Sequence, residues 1–196
     1  MTKRIGMIFV VLVLVALGLA FYALHLKRKV ARDEQVAAQQ QLAMAPPANG
    51  PPTPVTLYVA SDSDATLRKS QVNIVLPAER TERARAVLRS LLGAYLQSPS
   101  PHPIGTEADV RDVYLLDDDT AVVDTNSAFA DAHPSGVLAE ELTVASMVAT
   151  LIANDGKIER VKIVVNGQER ETLAGHADLR RFYSASNVGQ AVRDLP

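Results

Sequence analysis

The sequence predicts an α+β fold: two ββα-type units and a C-terminal β-hairpin, with helices packed on a mixed or antiparallel sheet. A single transmembrane helix is predicted to precede this domain. Three observations predict the arrangement: an uncharged apolar run opens the chain, two later segments carry apolar residues at helical spacing, and short β-branched segments stand between them. Helices with one apolar face bury that face against a sheet.

Residues 1–26 are predicted to be a membrane anchor. Ile5 to Leu26 contains no Asp, Glu, Lys or Arg, and a helix of about 20 apolar residues matches the thickness of the bilayer core. The alternative is a cleaved signal peptide, whose apolar region is about 7–15 residues long and ends at small residues. Gly18 to Ala20 offers such a site, but the apolar run continues past it. We therefore favour an uncleaved anchor.

The flanking charges leave the orientation of this anchor open. Lys3 and Arg4 precede the apolar run, whereas Lys27 to Lys29 and Arg32 follow it. Cytoplasmic flanks carry more Lys and Arg, so the count slightly favours a cytoplasmic C-terminal side.

Residues 27–54 are predicted to hold the domain away from the membrane. Residues 27–45 are rich in Ala, Gln, Glu and Lys, which favour a helical stalk. Pro46 to Pro54 contains five prolines, which make an extended, semi-rigid spacer.

The first unit of the domain, predicted over 55–183, comprises two strands and a helix. Val55–Ala60 and Gln71–Pro77 read as strands separated by a polar connection. Thr81 is a suitable helix cap. The apolar helical face that follows comprises Ala84, Val87, Leu88, Leu91, Leu92, Tyr95 and Leu96.

The second unit repeats this order. Val110–Leu116 and Ala121–Asn126 flank an acidic turn and predict a β-hairpin. The helix that follows starts at Ser127 or at Ser135, which we favour, and runs to Asn154.

A last strand and a turn complete the predicted domain. The strand Arg160–Asn166 leads into Asn166-Gly167, a type I′ turn signal, and residues 168–172 are predicted to pair back as a short strand. Residues 184–196 remain as a C-terminal tail.

The order of these motifs resembles the GerMN domain family, the domain of the spore germination and sporulation protein GerM. The segments that carry the resemblance are Ala121–Phe129, the turn Val165–Gly167 and Glu171–Leu179. It implies an extracytoplasmic, membrane-attached assembly domain similar to the ring-building motifs of secretion and sporulation complexes. The residues that match the family motifs are Asp124, Asn126, Ser127, Phe129, Asn166, Gly167, Leu173, Gly175, His176 and Asp178.

Composition excludes several classes of function. The formal charge of −2 gives no basic field for nucleic acid. The chain has no cysteine, which excludes disulfides, thiolate nucleophiles and a lipid-modified cysteine. We predict no cofactor.

The sequence contains no convincing catalytic or metal-binding set. Two of the four histidines, His102 and His133, stand beside prolines, and the most suggestive grouping is that of His176 with Asp178. A metal site needs three or four converging ligands, so we interpret His176 and Asp178 as linking the C-terminal loop to the sheet. Asp124 lacks a recognisable acid–base partner. We predict that the protein is not an enzyme.

Arginines provide a candidate interaction surface. Those along the first helix lie opposite its apolar face, where charged side chains are most often simply solvated; the functional interpretation is a surface for an acidic partner or anionic lipid headgroups. The candidate residues are Arg80, Arg83, Arg85, Arg89, Arg180 and Arg181.

The apolar run predicts a single-pass membrane protein, and the family resemblance implies that it lies in the bacterial cytoplasmic membrane with its C-terminal domain outside. The resemblance opposes the count of flanking charges, and we follow the resemblance because that excess is only one or two residues. The protein would act as an interaction or assembly module that binds an envelope protein or peptidoglycan, without catalysis. The alternatives are a hydrolase that uses Asp124 and His176, which would have to share a cleft, and a self-assembling ring subunit.

Overall fold

The computed structural model describes residues 50–117 and 119–193. The predicted anchor, the stalk and the beginning of the proline-rich spacer lie outside the described residues. So do Asp118 in the predicted acidic turn and the last three residues.

The described residues form an α+β domain with five strands, four helices and two sheets, which confirms the predicted α+β class. The elements in chain order are β1 (Thr53–Ser61), β2 (Thr66–Ile74), α1 (Arg80–Tyr95), β3 (Val110–Leu116), β4 (Thr120–Thr125), α2 (Ser127–Asp131), α3 (Val137–Asn154), β5 (Arg160–Val165) and α4 (Ala185–Arg193).

The first sheet is the antiparallel hairpin β1–β2, paired without a register shift from Thr53↔Ile74 to Ser61↔Thr66. The sequence predicts β2 to begin only at Gln71, which is wrong. The five residues from Thr66 to Ser70 are mostly polar and exposed. They are strand because β1 supplies a continuous backbone partner, and such pairing overrides a weak local preference.

Side chains from the helices occupy the other edge of β1. The backbone N–H of Tyr58 donates to Thr150 Oγ1 at 2.9 Å, and that of Ala60 donates to the Tyr95 hydroxyl at 2.9 Å. The Asn154 amide bonds both the N–H and the carbonyl of Thr56, at 3.0 and 2.6 Å. Polar groups on α1 and α3 therefore replace a third strand.

Helix α1 buries the predicted apolar face from Ala84 to Tyr95. Leu96, the last residue predicted on that face, is instead the C-cap and is 43% exposed. Its N-cap is Glu79 rather than the predicted Thr81: the Glu79 carboxylate accepts from the N–H of Glu82 at 2.8 Å. The Thr81 hydroxyl donates to the same carboxylate, so Thr81 supports the cap instead of forming it.

The second sheet has the order β3–β4–β5, antiparallel between β3 and β4 and parallel between β4 and β5. The predicted hairpin at the acidic turn is confirmed. In the described chain the five strands divide between two sheets, whereas the sequence predicts a single sheet.

Two helices follow β4. The favoured start of the long helix at Ser135 is confirmed to within two residues, since α3 begins at Val137 with Gly136 at its N-cap. The sequence analysis misses the separate short helix α2, which begins at Ser127. Helix α3 is long and apolar enough to cross a membrane. Most of its residues from Glu140 to Leu151 are buried inside the domain, which accounts for its composition.

The C-terminal region departs most from prediction. The predicted turn is confirmed, with φ of 52° at Asn166 and 71° at Gly167. The predicted strand over 168–172 is wrong: only the isolated bridges Val165↔Gln168 and Thr172↔Asp178 form there. The segment has no alternating apolar residues that a strand could bury.

The predicted boundary between domain and tail also changes. Residues 185–193 form α4, which packs on α3, and Val188 is only 5% exposed. Part of the predicted tail therefore contributes to the core.

Candidate functional site

A cleft of about 410 Å³ opens between the start of β1, the first turns of α1 and the C-terminal end of α3. Its floor is aliphatic, with Val55, Val87 and Leu151 all buried. Helical spacing places Val87 and Leu151 on the faces that α1 and α3 turn towards the core. The cleft is thus the outer end of the seam between these helices.

Charged side chains form the rim of this cleft. Arg80 Nε lies 2.5 Å from Asp155 Oδ2, and this hydrogen bond lowers the pKa of the Asp155 carboxyl. Arg83 and Lys157 are exposed. Three cationic side chains therefore face one carboxylate, and the rim carries a net positive charge.

The predicted interaction surface is divided among three places. Arg80 and Arg83 line the cleft. Arg89 instead binds both carboxylate oxygens of Asp109, at 2.9 and 2.6 Å, and Arg85 donates to the carbonyl of Arg111. These last two arginines fix α1 to the beginning of β3.

The two C-terminal arginines have local partners of their own. Arg180 Nε lies 3.1 Å from Asp178 Oδ1, and the Arg181 guanidinium lies 4.5 Å from the centre of the Tyr183 ring. Lys157, which the sequence analysis does not identify, is the cation that joins Arg80 and Arg83. It lies far from them in sequence, so no local pattern predicts the grouping.

Several family-motif residues have structural roles around β4. The buried Asp124 carboxylate accepts from the N–H of Gly167 at 2.7 Å, which ties the turn after β5 to the neighbouring strand. Asn126 caps α2 by accepting from the N–H of Phe129, whose ring is fully buried. Ser127 is the first residue of that helix.

Most of the remaining motif residues lie in the segment after β5. Asn166 and Gly167 form the turn, Leu173 is fully buried, and Gly175 has a φ of 126°, a conformation that L-residues rarely adopt. Asp178 accepts from the backbone N–H of Arg180 at 2.9 Å.

The buried Glu140 carboxylate binds this C-terminal segment to α3. It accepts from the N–H groups of Ala174, His176 and Ala177 at 2.8–3.0 Å, and from His176 Nδ1 at 2.9 Å. It also accepts from the N–H of Gly136, at 3.1 Å. His176 therefore links the C-terminal loop to a helix, not to the sheet as predicted.

These hydrogen bonds govern the charge of Glu140. Burial alone raises the pKa of its carboxyl, but the N–H groups of Ala174 and His176 and the His176 ring outweigh burial and lower the pKa to about 2. A carboxylate that accepts several N–H groups is strongly held in its charged form.

A second buried network joins two loops to α3. His102 Nδ1 lies 2.5 Å from Asp62 Oδ1, and His102 Nε2 lies 2.5 Å from Thr143 Oγ1. His133 Nε2 lies 2.7 Å from the same hydroxyl, and its Nδ1 donates to the carbonyl of Pro134. Burial lowers the pKa of His133.

The order Thr143, His102, Asp62 is that of a catalytic triad. A nucleophile must, however, reach its substrate. Thr143 is 1% exposed and His102 is fully buried, and neither lines the cleft. The network therefore serves to hold the loops against α3.

Asp124 and His176, the pair that a hydrolase would use, have different partners. Asp124 lies beside Arg111 and Gly167, whereas His176 is bound to Glu140. Neither residue lines the rim or floor of the cleft. In the described residues no group of three or more His, Asp or Glu side chains is arranged to hold a metal ion.

The fold and these contacts define an α+β domain whose buried polar groups serve its architecture. A family model named Germane, described as sporulation and spore germination, matches residues 56–171. This is more than half of the 196-residue sequence. The chain belongs to the Germane family, which confirms the predicted resemblance.

A solved structure shows the same fold. The tandem GerMN domains of the sporulation protein GerM from Bacillus subtilis match with a TM-score of 0.52 and 18% identity, over 68% of this chain and 46% of that chain. The first GerMN domain of the same protein matches with a TM-score of 0.45 and 20% identity, over 66% of this chain and 94% of that chain. The chain thus spans less than half of the tandem structure. No curated protein matches its sequence.

Proposed function

We propose that this protein is a membrane-anchored interaction module outside the cytoplasmic membrane, which binds a partner protein of the cell envelope and performs no catalysis. The uncharged apolar run at the N-terminus and the proline-rich spacer support the tether. Membership of the Germane family supports an envelope role. The choice of a protein partner over peptidoglycan rests on the open edge of β2.

Strand β2 offers a nine-residue backbone edge. No described strand pairs with its outer side, and its pairing with β1 is continuous, without a bulge. Natural edge strands are usually shortened, bulged or covered because an exposed edge pairs with other chains. A long unbulged edge therefore favours addition of a strand from a partner.

The geometry of β1 identifies which groups of β2 face outward. The N–H groups of Thr56, Tyr58 and Ala60 bond side chains on the far edge of β1. The intervening residues of β1 therefore face β2. By the observed register, Ser70 and its alternate neighbours point back to β1, and Gln71 and its alternate neighbours point outward.

Charge indicates the chemistry of the partner strand. Arg68 and Lys69 are exposed on β2, and the strand contains no acidic residue. Arg68 is paired with Asp64, while Lys69 makes no ion pair within the described residues. An extended segment with an acidic side chain opposite Lys69 complements this edge better than a second copy of the same strand.

The test is photo-crosslinking of the full-length protein in its own membrane, with a photoreactive residue in place of Asn73, which is exposed on β2 and leaves Lys69 intact. An adduct with a different envelope protein is expected. Adducts only between copies would favour the self-assembling subunit, and adducts only with glycan would favour wall binding; either result would contradict the proposal.

A proline variant distinguishes strand addition, which needs the outward backbone N–H groups of β2, from contacts that involve only side chains. Gln71→Pro removes one outward N–H, and an edge strand tolerates proline where its N–H faces solvent. We expect Gln71→Pro to abolish the adduct, whereas Gln71→Ala keeps it, because alanine retains the N–H. Equal adduct yields from both variants, with the fold intact by circular dichroism, would rule out strand addition at this edge.

A further inference from the structure

We infer that the cleft between α1 and α3 binds a short peptide segment that presents a carboxylate next to an aliphatic side chain. This site is separate from the β2 edge, and the inference does not depend on strand addition. It rests on the form of the cleft, the charges at its rim and the nature of its floor.

The size and floor of the cleft suit a small ligand with an apolar part. Its volume of about 410 Å³ lies within the range of roughly 300–1,000 Å³ that ligand pockets occupy. Val55, Val87 and Leu151 are each at most 3% exposed, yet they reach the floor of the cleft. Most of the apolar surface open to a ligand belongs to two further lining residues, Pro54, which is exposed, and Leu76, which is half-buried. An aliphatic side chain in the cleft would bury its surface against them, above the aliphatic floor.

The rim supplies positive charge that the domain does not use for itself. Asp155 is already held by Arg80 at 2.5 Å. Arg83 donates one Nη1 hydrogen bond to the carbonyl of Ala78 at 3.3 Å, which leaves the rest of its five donors available. Lys157 forms no side-chain hydrogen bond or ion pair with another described residue. Two exposed cations thus border an aliphatic floor.

The exposed cations and the aliphatic lining of the cleft together favour a peptide over a phosphate polymer. Both ligands carry oxygen anions that Arg83 and Lys157 can bind. A sugar-phosphate or polyol-phosphate chain has no aliphatic group to cover Pro54, which is exposed, or Leu76, which is half-buried, so it would leave this apolar lining of the cleft in contact with water. A leucine-like side chain beside a carboxylate satisfies both parts of the cleft.

The probe is acetyl-leucyl-glutamate, titrated into the full-length protein in neutral detergent with ¹³C-labelled Val and Leu methyl groups. We expect saturable shifts of the Val55, Val87 and Leu151 methyl signals, and none at Val122 on the second sheet. The amide analogue acetyl-leucyl-glutamine amide, which has no carboxylate, should bind at least tenfold more weakly.

A double charge reversal, Arg83→Glu with Lys157→Glu, should also weaken binding at least tenfold. Arg68→Glu is the matched control, because Arg68 is an exposed cation on β2 away from the cleft lining, and it should bind normally. Equal binding by the double variant and the control would overturn the inference, as would equal binding of the amide analogue.

Glycerol 3-phosphate and acetyl-glycyl-glutamate complete the test. Shifts of the floor methyls that are as large with glycerol phosphate as with the leucyl peptide would overturn the assignment to a peptide. Weaker binding of the glycyl peptide than of the leucyl peptide would support the aliphatic part of the site. These outcomes do not depend on the Gln71→Pro result, so either proposal can fail alone.

Discussion

Glu140 shows how one ionised side chain can organise the C-terminal third of the domain. Its carboxylate has no exposed surface and accepts hydrogen bonds from residues more than thirty positions later in the chain, including His176. Removing one partner of such a buried charged network leaves the other polar groups unsatisfied. The segment after β5, which lacks a strand partner, is held by this carboxylate.

The charge of Glu140 predicts a specific dependence of stability on pH. The pKa of its carboxyl falls from an ordinary 4.5 in the unfolded chain to about 2 in the folded protein. Because the folded-state pKa is the lower one, the stabilisation is fully present above pH 4.5 and is lost as the pH falls towards 2. Such a shift corresponds to about 3 kcal/mol of unfolding free energy.

Glu140→Gln should lower the free energy of unfolding at neutral pH by about 3 kcal/mol and remove most of this acid-dependent loss. Urea unfolding between pH 2.5 and 7 measures both. Glu141→Gln is the control: burial raises the pKa of the Glu141 carboxyl, so neutralising it should cost no stability. Parallel pH profiles of the Glu140 variant and the unsubstituted protein would contradict the assigned role.

Single residues differ in how far sequence could reveal their roles. Glu140 shares a helical face with Val144, Met147 and Leu151, so a charged residue on an apolar stripe was a visible signal of a buried partner. His102 and Thr143 gave no such signal, because their contact depends on how a loop folds back on a helix. The Asn166-Gly167 turn depends on the two residues that form it, so the local sequence predicted it. The cap of α1 is also local, but two neighbouring side chains can fill it, and Glu79 does so instead of Thr81.

Strand β1 has a strand neighbour on one side only, and side chains of the helices bind its backbone on the other side. Tyr95, on α1, is 1% exposed, and its hydroxyl accepts the N–H of Ala60 at 2.9 Å. Burial raises the pKa of the Tyr95 phenol to about 12, so it stays protonated at any physiological pH. The hydroxyl therefore replaces one ladder hydrogen bond permanently.

Tyr95→Phe should destabilise the domain by about 1–3 kcal/mol, because the buried N–H of Ala60 would lose its acceptor. Amide hydrogen exchange should accelerate first at Ala60. Tyr114→Phe is the matched control, since that side chain is half-exposed on β3, and it should have little effect. Unchanged protection of the Ala60 amide in Tyr95→Phe would show that the hydroxyl does not hold the strand.

The elements predicted well are those whose pattern is periodic and long. The apolar face of α1 and the hairpin β3–β4 follow directly from spacing. The first half of β2 and the segment 168–172 are both polar, yet only β2 is a strand. The difference is that β2 has β1 as a continuous strand partner, whereas residues 168–172 have none. The local sequence of a segment does not show which partner it will have.

At the scale of the whole molecule, the two sheets are joined by the helices rather than by each other. Helix α1 packs against both β1 and β3, and α3 packs against β1, α1 and α4. The cleft and the β2 edge both lie in the part of the domain built on the first hairpin. The buried networks of Glu140 and His102 connect loops to α3, and the His102 network does so through Asp62 in the turn of the first hairpin.

Helix α4 sets the C-terminal boundary of the folded domain. Sequence analysis places residues 184–196 in a tail, because their apolar residues are too few to predict a packed helix. Val188 nevertheless packs with the core and is 5% exposed. It lines a cavity of about 350 Å³ together with Tyr58, Leu67 and Ile152. Only the apolar surface presented by α3 and the first hairpin makes this helix part of the domain.

Val188→Asp should therefore detach α4 without unfolding the remaining elements, since a buried unpaired carboxylate is costly. We expect the amides of α4 to lose hydrogen-exchange protection and the free energy of unfolding to fall by about 1–2 kcal/mol. Ser186→Asp is the control, because Ser186 is exposed in the first turn of the same helix and an acidic residue is favourable there. Equal hydrogen-exchange rates of the α4 amides in Val188→Asp and Ser186→Asp would contradict this. The folded domain would then end at the loop that follows β5, and α4 would belong to the tail.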